Sequence, residues 1–326
     1  MIGPFSAEHE LICRDVIYNH SQSFFLSSLL LPPEVRLCAW AIYGFCRTAD
    51  DAVDVQSDVS VERSLEDLRR RLDLVYGGCP ESRLDEAFSV FVHHYDVPRS
   101  IPECLLSGFE IDTGTVDFQT EQELIEYSFK VASMVGLMLV YAMKSVSDVV
   151  LYKACDLGIA MQLTNVTRDM GADLRMGRIY VPAVWREEAC ASGGQLNGEV
   201  ASDASRVLAG RLLEKARDFY ASACQGIQYL PLRCQVAISA SKYVYAAIGK
   251  KVEGNGFDTI STRARVSVPE KVFLVACALG RVVATPYQPT VKPGPADNLI
   301  GKLLADLNLG VDLGRECSPE ATGSQA

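Results

Sequence analysis

From about residue 6 to residue 285, apolar residues recur at i, i+3, i+4 and i+7, and no sustained alternation of apolar and polar residues competes with that spacing. The stretches EVRLCAWAIYGFCRTADDAVD, ERSLEDLRRRLDLVYGG, LDEAFSVFVHHYDV and EQELIEYSFKVASMVGLMLVYAMK carry it most clearly. A chain patterned this way buries one stripe of each helix against its neighbours, so the expected fold class is all-α. The punctuation agrees. Pro32 and Pro33 suit a helix start, Gly77, Gly78 and Pro80 suit an end, and Pro98 and Pro102 bracket a short connection. Residues 113–120 read as a loop before a helix that carries Glu121 and Glu123 in its first turn, where the helix dipole favours acids. A further break is expected at the Gly/Ser/Asn-rich ASGGQLNG of residues 191–198.

Past residue 285 the composition changes. TPYQPTVKPGP holds four prolines in eleven residues and cannot continue a helix, while ECSPEATGSQA has the composition of a disordered end. The expected organisation is one all-helical domain over residues 1–285 and a Pro-containing, partly disordered tail over 286–326, in which residues 297–309 form one short helix.

Composition bounds the function. Hydrophobic residues make up 48% of the chain, enough for a sizeable core. The net charge of −10 argues against a protein built to neutralise nucleic-acid phosphates. Eleven cysteines are scattered without a Cys-x-x-Cys pair or a Cys/His cluster, which suits free thiols in a reducing compartment. The N-terminal MIGPFSAEHELICRDV lacks the basic region and apolar core of a signal peptide. VASMVGLMLVYAM falls short of the ~20 residues that cross a bilayer and fits a buried core helix better. A cytoplasmic location is expected, with peripheral contact at the inner membrane face left open.

Two acidic motifs carry the chemistry. In YGFCRTADDAVD, helical spacing sets Tyr43, Arg47, Asp50 and Asp54 within roughly 60° of one another, with Asp51 to one side. Two acids at i, i+4 repel unless a cation lies between them. In MQLTNVTRDMGADLRMGRIYVP, Gln162, Asn165, Asp169 and Asp173 stack within about 80° on one face, a row of oxygen donors on an otherwise apolar helix. Mg²⁺ takes such oxygen ligands and is typically shared between carboxylates and substrate phosphates. Arg47, Arg168, Arg175 and Arg178 lie close enough in sequence to receive phosphate oxygens or to pair with the neighbouring aspartates. Together these parts suit metal-assisted departure of a diphosphate beside an apolar pocket that shelters a carbocation. No Ser/His/Asp triad, G-x-G-x-x-G or G-x-x-x-x-G-K-[ST] competes, and His93 and His94 read as helix-surface residues. Ala132, Ser133, Gly136 and Ala142 are small residues on a bulky helix and serve either a chain-shaped cavity or close helix packing.

HSQSFFLSSLLLP, WAIYGFCRTADDAVD, YSFKVASMVG, MQLTNVTRDMGADLRMGRIYVP and KYVYAAIGKKVEGNGFDTISTRARV occur in the order typical of the squalene/phytoene synthase family, and the chain resembles its bacterial phytoene synthases most. The resemblance implies a single-domain class I isoprenoid synthase fold, a helical bundle around a central cavity. It also implies head-to-head (1′-1) condensation of two prenyl diphosphates through a cyclopropylcarbinyl diphosphate: geranylgeranyl diphosphate to phytoene, in carotenoid synthesis. The nearest alternative is the same chemistry on farnesyl diphosphate, giving dehydrosqualene or squalene. A non-catalytic relative and a cyclising terpene synthase are less favoured. Mg²⁺, or Mn²⁺ in its place, would be the metal, and NADPH would not be required.

By the same resemblance, Asp50, Asp54, Asp169 and Asp173 are the metal ligands, while Ser21, Ser23, Arg47, Arg168, Arg178, Gln162 and Asn165 lie near the diphosphate or the metal. Tyr43, Tyr127, Tyr180 and Tyr245 would be catalytic residues lining the site, their phenol oxygens assisting proton loss or binding diphosphate. Two departures stand out. Lys130 and Ser133 replace residues that the family usually has as an aromatic or His and as Gly, and Arg263 and Arg265 both fit its C-terminal basic position.

Overall fold

The computed structural model describes residues 3–54, 61–191, 196–284 and 290–309, apart from the side chains at 22, 23, 50–54, 61, 62 and 283. Among the described residues there are fourteen α-helices and no β-strand. They are α1 (Ala7–His20), α2 (Gln22–Ser28), α3 (Pro33–Asp54), α4 (Val61–Tyr76), α5 (Arg83–His94), α6 (Ser100–Asp112) and α7 (Glu121–Ser128). After these come α8 (Met134–Ala142), α9 (Asp148–Arg175), α10 (Ala183–Ala191), α11 (Asp203–Ile227), α12 (Leu232–Gly254), α13 (Val268–Ala284) and α14 (Asp297–Asp306). The helical class expected from the periodicity is the class observed.

Local chemistry places the starts. The hydroxyls of Ser6, Ser82, Thr120, Ser147 and Ser202 accept from the third amide of α1, α5, α7, α9 and α11. Each such cap stabilises its helix by about 1 kcal/mol. The loop at residues 113–120 lies where the turn residues put it, with Thr120 closing it.

α9 is the central element, packed against α7, α8, α11, α12 and α14. Its buried residues run from Val150 to Gly171, so both ends of the helix are tied into the same core. Between α7 and α8 the chain forms one π-helical turn, Phe129–Ser133, in a stretch whose periodicity reads as a single helix. That turn presses Ser133 against α9. A Cβ on Gly158 would stand 2.6 Å from the Ser133 Cα, so only glycine admits this approach. The Ser133 hydroxyl donates to the Cys155 carbonyl at 2.8 Å. The stretch Glu121–Ala142 is apolar and long enough to cross a membrane, yet 56% of its most apolar window is buried inside the protein. It is an interior helix pair.

Residues 290–309 pack on the body. Ile300 and Leu304 of α14 are fully buried, and Ser100 donates to the Leu307 carbonyl at 2.8 Å. Every cysteine among the described residues is a free thiol, with Cys13, Cys38, Cys155 and Cys234 buried and Cys79, Cys224 and Cys277 exposed.

Candidate active site

A polar cavity of about 440 Å³ is lined by Tyr43 and Arg47 from α3, Asp112 from α6, and Gln162, Asn165, Arg168, Asp169 and Asp173 from α9. Tyr127, Arg178 and Tyr180 complete its wall. A second, apolar cavity of about 360 Å³ adjoins it, because Tyr43, Cys46, Val131, Gln162 and Asn165 line both. The apolar compartment follows α9 from Asn165 back to Val150, a length of about 22 Å at the helical rise of ~1.5 Å per residue. Its far end includes Lys153, whose ammonium donates to Ser222 at 2.8 Å and Asp156 at 3.2 Å and stands 3.9 Å from Asp297.

The row on α9 forms as its spacing requires. Asp169 is clamped by two arginines: Arg168 Nε donates to Oδ1 at 2.9 Å and pairs also with Oδ2, and Arg263 reaches Oδ1 at 2.6 Å and Oδ2 at 3.1 Å. Burial alone would raise the Asp169 carboxyl, but these hydrogen bonds hold it below the ordinary range. Asp173 behaves oppositely. Burial, then the nearby Asp169 charge, pushes it up to about 7, against the pull of Arg178. Asn165 donates to Gln162 Oε1 at 3.2 Å, and its own buried Oδ1 has no hydrogen-bond partner in the protein.

Tyr127 and Tyr180 stack with ring centroids 5.0 Å apart, and their phenols donate to Asp112, Tyr127 to Oδ2 at 3.0 Å and Tyr180 to Oδ1 at 2.7 Å. Burial, reinforced by the Asp112 charge, raises both phenols above their usual range, so they stay protonated. A short backbone pairing sets this geometry: Ile179 N donates to the Val116 carbonyl at 2.8 Å and Phe118 N to the Ile179 carbonyl at 3.2 Å. It draws the loop after α6 alongside the GRIYVP segment.

Sequence reasoning missed Asp112. The available signal was an acid in the last turn of an apolar helix, where the dipole disfavours it unless partners compensate. Of the two basic candidates, Arg263 reaches the site, while Arg265 is exposed and lines neither cavity. Arg175 turns to the Gly198 carbonyl at 2.6 Å and lines neither cavity. Lys130 packs toward α6, its Cβ 3.0 Å from where a Gly108 Cβ would stand, and lines neither cavity. Tyr245 lines the apolar compartment with Phe24, ring centroids 5.6 Å apart. The Ser21 hydroxyl caps α2 by accepting from Phe24 N at 3.4 Å and lines neither cavity. The side chains of Ser23, Asp50 and Asp54 lie outside the described residues. Among the described residues no three His, Cys, Asp or Glu side chains form a metal cage by themselves. The small residues divide: Ala132 and Gly136 line the apolar compartment, whereas Ser133 and Ala142 are buried in helix packing.

An all-helical body enclosing an aspartate- and arginine-lined chamber beside a long apolar one defines a helical isoprenoid synthase. A dehydrosqualene synthase structure superposes with a TM-score of 0.80 at 26% identity, covering 86% of this chain and all (100%) of that one. A squalene synthase from Alicyclobacillus acidocaldarius shares the fold with a TM-score of 0.71 at 20% identity, over 78% of this chain and 98% of that one. Residues 17–270 match the squalene/phytoene synthase family, and the chain belongs to it. Among its curated relatives are the phytoene synthase of Cereibacter sphaeroides, 39% identical over 85% of this chain and 81% of its own, and that of Rhodobacter capsulatus, 37% identical over 87% and 86%. The 15-cis-phytoene synthase of a Paracoccus species is 35% identical over 81% of this chain and 89% of its own.

Proposed function

We propose that this chain is a prenyltransferase that joins two geranylgeranyl diphosphates head to head, through prephytoene diphosphate, to give 15-cis-phytoene for carotenoid synthesis. The observation that carries the reading is the junction of a polar chamber with an apolar one about 22 Å long, in a chain whose curated relatives at 35–39% identity are phytoene synthases.

The donor set fits a hard divalent cation, Mg²⁺ or Mn²⁺. The unpartnered, buried Asn165 Oδ1 lies in the polar chamber beside Asp169 and Asp173 on the same helix, and all are oxygen donors. Asp50 and Asp54 on α3 would supply the other carboxylates. Bound there, the cations would neutralise charge on the departing diphosphate.

The remaining chemistry belongs to the chain. Arg47 and Arg178 line the chamber where the diphosphates would sit and can take their oxygens bidentately. Arg168 and Arg263 keep Asp169 ionised and fix its direction. The apolar compartment holds the prenyl tail and keeps water from the carbocation, with Phe24, Tyr43 and Tyr245 near its entrance. Tyr127 and Tyr180, protonated and anchored on Asp112, present fixed phenols to the chamber. Two diphosphates and two protons leave in the overall reaction and no hydride is added, so NADPH has no part to play. The product is wholly apolar, so a cytoplasmic enzyme would release it at the inner membrane face.

A radiolabelled product assay with each prenyl diphosphate and Mg²⁺ tests the reading. A C40 hydrocarbon from geranylgeranyl diphosphate without NADPH is expected. A C30 product from farnesyl diphosphate, with nothing made from the longer substrate, would overturn it.

A further inference from the structure

α13 is amphipathic in the wrong sense for a helix facing water. At about 100° per residue, one half of its circumference carries Val268, Pro269, Val272, Phe273, Ala276, Cys277, Leu279, Gly280 and Ala284, with no charged residue. Each of these is exposed, Val272 by 65% and Phe273 by 67%. Its charged residues, Glu270, Lys271 and Arg281, sit on the flanks of this face. An ordinary surface helix shows its polar side to solvent, and a contiguous apolar face of this kind marks a contact surface.

The surrounding charge selects the occupant. Residues 231–284, which form α12, α13 and their connection, contain eight Lys or Arg against three Asp or Glu, in a chain whose net charge is −10. Arg233, Lys250, Arg265 and Arg281 are exposed. A second copy of this region would set net positive charge against net positive charge, whereas an anionic bilayer accepts both the apolar side chains and the basic surplus of α12 and α13. The acidic remainder of the molecule would be repelled by the same surface, which orients the protein. α12 packs against both α13 and α2 and lines the apolar compartment with Ala237, Ile238, Ser241 and Tyr245, so one helix separates the exposed face from that cavity.

We propose that the outward face of α13 is the surface on which this protein docks to an anionic lipid bilayer. The proposal deepens the membrane delivery of product given above and rests on that reading for its purpose. Docking inserts Val272, Phe273 and Leu279 among the acyl chains and draws the basic surplus of α12 and α13, to which the exposed Arg233 and Lys250 belong, to the headgroup charge.

Flotation of the full chain with vesicles tests it, using phosphatidylcholine alone and phosphatidylcholine with phosphatidylglycerol. The chain is expected to float with the anionic vesicles at least tenfold more than with the neutral ones. V272E/F273E is expected to abolish flotation, and R233E/K250E to reduce it severalfold with a weaker salt dependence. Circular dichroism checks that both variants keep the wild-type helical signal, which exposed positions permit. Equal flotation of wild type and V272E/F273E, or no preference for anionic vesicles, would overturn the proposal. So would a lipid-free dimer, seen by light scattering, that V272E/F273E dissociates. Turnover of detergent-dispersed geranylgeranyl diphosphate separates the two readings. Wild type and V272E/F273E should turn over equally, and if neither makes product while the wild type still floats, the enzymatic reading fails and the docking surface stands.

Discussion

At the residue scale the site turns on how Asp169 and Asp173 are held. D169A should abolish turnover while leaving the helical circular dichroism unchanged, because its carboxylate is the anchor for Arg168 and Arg263. Near wild-type activity in D169A would contradict the metal-cluster mechanism. R263A should lower kcat/KM at least tenfold and R265A by less than twofold, since only Arg263 reaches Asp169. Asp173, pushed up to about 7 by burial and by Asp169, must lose a proton before it can bind a cation. Apparent Mg²⁺ affinity should therefore weaken as pH falls through about 7 and level off above it. A Mg²⁺ titration of activity at several pH values reads this directly, and a flat response across that range would refute it. The α9 row was legible because four oxygen-bearing side chains on one helix need only the 3.6-residue repeat to converge. Asp112 was not, because its partners Tyr127 and Tyr180 lie 15 and 68 residues away and meet it only through the pairing of Val116 with Ile179.

At the element scale the π-helical turn, Phe129–Ser133, adds a residue to one turn and so resets the sequence spacing of the faces across it. Tyr127 before it faces the polar chamber, and Ala132, Val135, Gly136 and Leu139, in or after it, face the apolar one. Deleting one residue within the turn should restore α-geometry and leave the faces of α8 where they are, because the widened turn absorbs the extra residue, but it removes the bulge that presses Ser133 against Gly158. A lower melting temperature, with helical content retained by circular dichroism, is the expected result. G158A should destabilise by about 1–3 kcal/mol, seen as a lower melting temperature, because the added methyl meets backbone atoms of Ser133 that cannot swing away. Periodicity read this stretch as one helix since a single extra residue leaves the apolar pattern almost intact. The choice between packing and cavity for its small residues was equally hidden, because both uses demand the absence of side chain.

At the scale of the whole molecule, the tail is bound to the body more closely than its prolines suggest. L304A should cost about 2–5 kcal/mol in a denaturant melt, as a fully buried leucine in the shared core does. The short helix within the tail was legible from its sequence. Its docking was not, since the partners of α14 lie on α9 and next to Ser100, far away along the chain. The all-helical class was the most legible feature of all, because it depends on a repeat present in every segment. The surface of α13 sits between these cases: its apolar run is plain in the sequence, but only the packing on α12 shows which half is left outside.

The cluster at the far end of the apolar compartment bears on how product length can evolve. Lys153 and Asp156 of α9 and Ser222 of α11 are buried and hydrogen-bond one another, with Asp297 of α14 standing 3.9 Å from the Lys153 ammonium. Shortening Lys153 alone to deepen the chamber would strand the buried Asp156 carboxylate, a loss of about 3–5 kcal/mol, whereas exchanging the set for apolar residues of similar volume can be nearly neutral. A lineage moving toward longer prenyl chains by this route would have to cross a valley of unstable single mutants, so changes of reach should arise first at uncharged lining positions such as Leu157 and Ile227.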